Sequence, residues 1–76
     1  MNKQPASFSD KTDFLKRNGW IERSPGGFVK NNVEIFWDTS HWVEIYPAND
    51  RKKRLEDVSI DTLEDLEILI KRLEVQ

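Results

Sequence analysis

Apolar residues change their rhythm twice along this chain of 76 residues. Near the start they are sparse, with Phe14 and Leu15 side by side among polar neighbours. Ser9 or Asp10 can cap a helix there, because a short side-chain oxygen accepts a free first-turn amide. Lys16 and Arg17 suit its carbonyl end, and Gly19 can take the left-handed conformation that stops it. The spacing therefore predicts a helix from Asp10 to Asn18. From Trp20 onward the rhythm becomes alternating. Trp20 to Arg23, Phe28 to Lys30, Val33 to Asp38 and Trp42 to Tyr46 read as strands, rich in the β-branched and aromatic residues that a pleated surface favours. Pro25-Gly26-Gly27 and Asn31-Asn32 are turn signals, and Pro47 ends the sheet. The rhythm then turns helical from Thr62 to Glu74. Leu63, Leu66, Leu69, Ile70 and Leu73 share one stripe, with Ile68 and Val75 on the far side. Asp61 and Glu64 resemble a capping box, and Glu67 precedes Lys71 by four residues in the favourable order.

These elements predict an α+β fold: a short N-terminal helix, an antiparallel β-meander of three to four strands, and a C-terminal helix packed on the sheet. Residues 1–8 read as a flexible start and 9–76 as a single small domain. Strand parity then assigns the faces. A two-residue turn at Asn31-Asn32 sets Phe28 opposite Ile35. A three-residue loop of Thr39-Ser40-His41 sets Ile35 opposite Ile45, Trp37 opposite Val43 and Asp38 opposite Trp42. The alternative two-residue loop would put Ile35 opposite Glu44 and bury a carboxylate, at a cost of several kcal/mol. The longer loop is therefore preferred. The inner face becomes Phe28, Val33, Ile35, Trp37, Val43 and Ile45. The other face carries Glu34, Phe36, Asp38, Trp42, Glu44 and Tyr46, with Val29 alongside. The N-terminal helix could cover it with Phe14 and Leu15. The face taken by Trp20 is not set by this arithmetic.

Composition narrows the chemistry. The net charge is -2, with no cysteine and one histidine. Disulfides, thiolate metal sites and a multi-histidine centre are excluded, so no metal and no cofactor are expected. No apolar run is long enough to span a membrane, and the first residues lack the apolar stretch of a signal peptide. The expectation is a cytoplasmic protein without a membrane partner. Charge is blocky, however. Residues 31–50 hold Glu34, Asp38, Glu44 and Asp50 and no base, and Arg51-Lys52-Lys53-Arg54 follows at once. That run reads as a solvated loop, with possible contact to phosphate or an acidic surface, extended by Lys16 and Arg17 if the first helix packs nearby.

Catalytic constellations are weak. Asp38-Thr39-Ser40-His41 contains triad residue types, but residues this close in a tight turn read as turn chemistry, with no sign of an oxyanion hole. Glu34, Asp38 and Glu44 share a face without an enclosing pocket, and the acids from Asp57 to Glu67 lack the glycine and spacing of a calcium loop. The expected function is non-enzymatic. Phe36, Trp42 and Tyr46, framed by Glu34, Asp38 and Glu44, form an aromatic patch with a polar rim, the usual make-up of a contact site. It would meet a basic or amphipathic protein partner, or a second copy in a homodimer. The alternative is nucleic-acid contact through Arg51, Lys52, Lys53 and Arg54, weakened by the acids beside them. Size and the absence of cysteine fit a bacterial or phage accessory protein.

Overall fold

Ser7, earlier than either predicted cap, opens the first helix. In the computed structural model, which describes residues 5–74, its backbone is extended and its Oγ accepts the Asp10 N–H at 3.0 Å. Helix α1 therefore spans Phe8–Arg17. It stops as expected, at Asn18 followed by Gly19 with φ of +91°. The predicted flexible stretch 1–8 lies partly outside the described residues. Within them, Ala6 N–H bonds the Asp61 carbonyl at 2.9 Å and Phe8 begins α1.

Among the described residues the sheet contains five strands, one more than the upper expectation: β1 (Ile21–Ser24), β2 (Gly27–Lys30), β3 (Val33–Thr39), β4 (Trp42–Pro47) and β5 (Glu56–Ser59). They lie side by side in chain order, each antiparallel to its neighbour. Strand β5 escaped the sequence reading because Glu56 and Asp57 have low strand propensity and Val58 is its only β-branched residue. Asn31, at φ of 57°, makes the tight β2–β3 turn, and Phe28 opposes Ile35 as predicted. Pro25-Gly26 turns β1 into β2, with Gly26 at φ of +79°; Gly27 belongs to the strand.

The β3–β4 hairpin corrects one pairing. Ile35 opposes Ile45 and Trp37 opposes Val43, but Thr39, not Asp38, opposes Trp42. The turn is Ser40-His41, and the register shifts between Trp37 and Thr39. A bulge at Asp38 reconciles a two-residue turn with the buried register. Only regularly paired loops enter the parity argument, so it found the right faces with the wrong loop.

Helix α2 (Leu63–Glu74) starts on a capping box, although not the predicted Asp61–Glu64 pair. Thr62 Oγ1 accepts the Asp65 N–H at 3.0 Å, while Asp65 Oδ2 accepts the Thr62 N–H at 3.2 Å. These reciprocal bonds satisfy two first-turn donors. The predicted stripe is buried at Leu66, Leu69, Ile70 and Leu73. Val75 lies outside the described residues.

Both helices lie on one side of the sheet. Leu15 of α1 and the α2 leucines join Phe28, Ile35, Trp37, Val43 and Ile45 in one buried cluster, which also takes Trp20 and Ile60. Phe14 packs against the same cluster. Helix α1 therefore does not cover the opposite face, and Trp20 points inward.

Lys11 locks α1 in place. It is 3% exposed, and its Nζ donates to the carbonyls of Ser40 and Ile60, both at 2.7 Å. The ammonium also lies 5.7 Å from the centre of the Trp37 ring, which Phe8 meets edge-on. Burial lowers the Lys11 pKa, opposed by the charges of Asp61 and Asp65. Because the folded value lies below the ordinary 10.5, the unfolded chain holds more proton between the two. Stability contributed by this site therefore rises with pH across that window. Lys11→Met should cost about 1–3 kcal/mol by leaving the buried Ile60 carbonyl and the part-buried Ser40 carbonyl without their donor. It should also remove the alkaline rise. Urea unfolding of both proteins from neutral pH to alkaline pH checks both outcomes.

Candidate functional site

Strand parity puts two rows of side chains on the outer face, away from the helices. Ile21, Val29, Glu34 and Tyr46 lie opposite one another across β1 to β4. Gly27, Phe36, Glu44 and Asp57 do so across β2 to β5. Trp42 sits at one end beside Ser59. Five of the six predicted contact residues, Glu34, Phe36, Trp42, Glu44 and Tyr46, are therefore brought together. Asp38 is the exposed bulge residue and does not face Trp42.

The basic run is an exposed loop, as expected, but two of its four bases are paired within the molecule. After β4 the chain makes tight turns, with Asp50 N–H bonded to the Pro47 carbonyl at 3.1 Å and Lys52 N–H to Asp50 Oδ1 at 3.1 Å. These turns carry Arg51 back across the outer face. Its Nε and Nη2 donate to Glu34 Oε1 and Oε2 at 2.6 and 2.7 Å, and Nη2 also reaches Ser24 Oγ at 3.2 Å. The guanidinium lies 4.5 Å from the centre of the Phe36 ring and 5.9 Å from that of Tyr46. A planar fork suits both the two carboxylate oxygens and a ring face. The Glu34 side chain is only 6% exposed, so this pairing removes what would be an isolated buried charge. Those hydrogen bonds raise the Arg51 pKa further above its ordinary value.

Arg54 completes the closure. It lies 3.5 Å from Glu44 and 3.4 Å from Asp57, which face each other across β4 and β5. Tyr46 donates its hydroxyl to Glu44 Oε1 at 2.5 Å, and this bond, with burial and the Glu44 charge, raises the Tyr46 pKa. The aromatic-acidic face and the basic run, read separately as two sites, thus form one assembly. Lys52 and Lys53 stay exposed and make no ion pair among the described residues. Lys16 does not extend the patch, since it lies by Glu22 on the helix side.

Gly27 is a structural part of this assembly. A Cβ there would stand 2.6 Å from Ser24 Oγ, 2.7 Å from Glu34 Oε2 and 3.1 Å from Arg51 Nη2. Its missing side chain is the space in which the ion pair sits. Adjacent acidic and basic charge blocks were the available signal for the pairing; the glycine looked like ordinary turn chemistry.

Among the described residues, no three His, Cys, Asp or Glu side chains converge as metal ligands would, and no helix is long and apolar enough to cross a membrane. Asp38 and Thr39 end β3 and only Ser40-His41 form the turn, with the His41 N–H bonded to Thr39 Oγ1 at 3.3 Å. Comparisons with protein-family models, curated proteins and solved structures found no match.

Arg51→Ala should destabilise the fold by about 2 kcal/mol, because it strands the Glu34 carboxylate. Gly27→Ala should also destabilise, but by less in an Arg51→Ala background, where Glu34 can move away. Denaturant midpoints around this double-mutant cycle measure the difference; additive costs would show that position 27 does not act through the pair.

Proposed function

We propose that this chain is a non-enzymatic, cytoplasmic accessory protein that docks a protein partner on the outer face of its sheet. The observation that carries this reading is Trp42, which is 37% exposed on a face that neither helix covers. Single exposed rings are ordinary. This one lies diagonally across the β3–β4 pair from Phe36, in register with the half-buried Tyr46. An aromatic anchor beside partly desolvated rings and arginines resembles the make-up of binding hot spots.

Internal pairing changes the partner that suits the face. Glu34, Glu44 and Asp57 are occupied by Arg51 and Arg54, whose own side chains remain 47% and 54% exposed. Lys52 and Lys53 add further positive charge at the same end. The surface therefore favours an amphipathic segment bearing apolar side chains for Trp42 and carboxylates for the loop, rather than the basic surface inferred from the acids alone.

The test compares immobilised wild type with Trp42→Ala in extract of the source cell. Loss of a bound protein in Trp42→Ala, with unchanged circular dichroism and melting temperature, supports the reading. The same protein retained equally by both would exclude this face. Anisotropy with a short single-stranded oligonucleotide addresses the phosphate alternative. Binding that falls steeply with salt and disappears in Lys52→Gln/Lys53→Gln would favour nucleic-acid contact instead.

A further inference from the structure

We propose that the free edge of β5, with the adjoining side of α2, is a self-complementary interface that pairs two copies of this chain about a two-fold axis. This surface adjoins the outer face at Asp57 and Ser59 but does not depend on the proposed function there.

The two edges of the sheet differ in regularity. Strand β1 is irregular, its register shifting between Glu22 and Ser24, and such a bulge blunts an edge against further pairing. Strand β5 pairs with β4 without a shift, and contains neither proline nor lysine. Its two acidic side chains are already met from within the molecule, Glu56 by Arg72 at 2.8 Å and Asp57 by Arg54 at 3.4 Å. The usual electrostatic guard on an edge is thereby neutralised.

Hydrogen-bond alternation selects the register. Ile60 N–H bonds the His41 carbonyl at 2.8 Å. Counting back along an antiparallel ladder, Val58 turns its backbone groups to Val43, while Asp57 and Ser59 turn theirs outward. A two-fold axis at Val58 sets Asp57 opposite Ser59 of the second copy, and Ser59 opposite its Asp57. All the outward groups of these two residues then find partners, and each serine hydroxyl meets a carboxylate. The neighbouring symmetric register, centred on Asp57, would oppose two aspartates.

The same axis suits α2. Ile68 is 59% exposed, and it lines the groove beside β5 with Val58, Leu69 and Arg72. An antiparallel contact centred on Ile68 sets the two isoleucines together. It also lays the acidic first half of α2 (Glu64, Asp65) along the basic last turn (Lys71, Arg72) of the second helix, where Lys71 and Arg72 also pair with Glu67 and Glu56 of their own chain. Residue 64 then faces residue 72, and residue 65 faces residue 71. Strand and helix thus call for one axis, and opposite charges meet on both sides of it.

Sedimentation equilibrium tests this, with wild type expected to form a concentration-dependent dimer in the micromolar range. Ile68→Asp places two carboxylates at the axis and should weaken the dimer by at least about tenfold. Ser59→Pro removes an outward donor without touching the β4 ladder and should weaken it too, with circular dichroism confirming that both variants fold. A wild-type monomer at millimolar concentration would overturn the proposal. So would a dimer that survives both changes, or one lost only in Trp42→Ala, which would move self-association to the outer face. Growth beyond the dimer with concentration would mean open pairing of β5 with β1, and would overturn it as well.

Discussion

A carboxylate buried on the uncovered face of a sheet must be paired, and here Arg51 pairs Glu34. Both helices pack on the inner face, so neither can shield Glu34, Phe36 or Tyr46. The chain covers that face with its own loop instead. The bidentate pair leaves no lone charge beneath the guanidinium, and the plane of Arg51 caps Phe36. Gly27 supplies the clearance and Arg54 neutralises the two facing acids farther along. The tight turns after β4 are shaped by what they must deliver to the sheet.

On the other side, the analogous problem is solved by a lysine. Lys11 is buried against Trp37 and donates to carbonyls from the β3–β4 turn and from the residue after β5. Isolated burial of an ammonium would be costly. Two short hydrogen bonds and a ring face, with Asp61 and Asp65 in electrostatic range, make it a fastening for α1. Each face of this small sheet therefore depends on one cation recruited from outside it.

Parity made the inner face legible. Alternation from Phe28 to Ile45 and the Asn31-Asn32 turn fixed which residues are buried, and the leucine spacing of α2 identified what covers them. The β-bulge at Asp38 was not legible, because an extra residue leaves no periodic trace when the turn shortens to compensate. Strand β5 was hidden for a different reason: its pairing comes from the edge of β4 and from Arg54 and Arg72, not from its own composition. The site was half legible. Five of its side chains followed from parity, whereas the return of Arg51 over them is set by backbone turns that residue types alone do not specify. Equal and opposite charge blocks in adjacent segments hinted at the outcome without giving its geometry.

The meander order carries a cost of its own. Every strand pairs with its neighbour in sequence, so the ladder closes only short loops. The Lys11 bonds instead span 29 and 49 residues. Loop-closure entropy grows with that separation, so the docking of α1 bears a larger entropic penalty than the closure of any one hairpin. One of the two tethers of the first helix, to the Ile60 carbonyl, exists only when the last strand is in place.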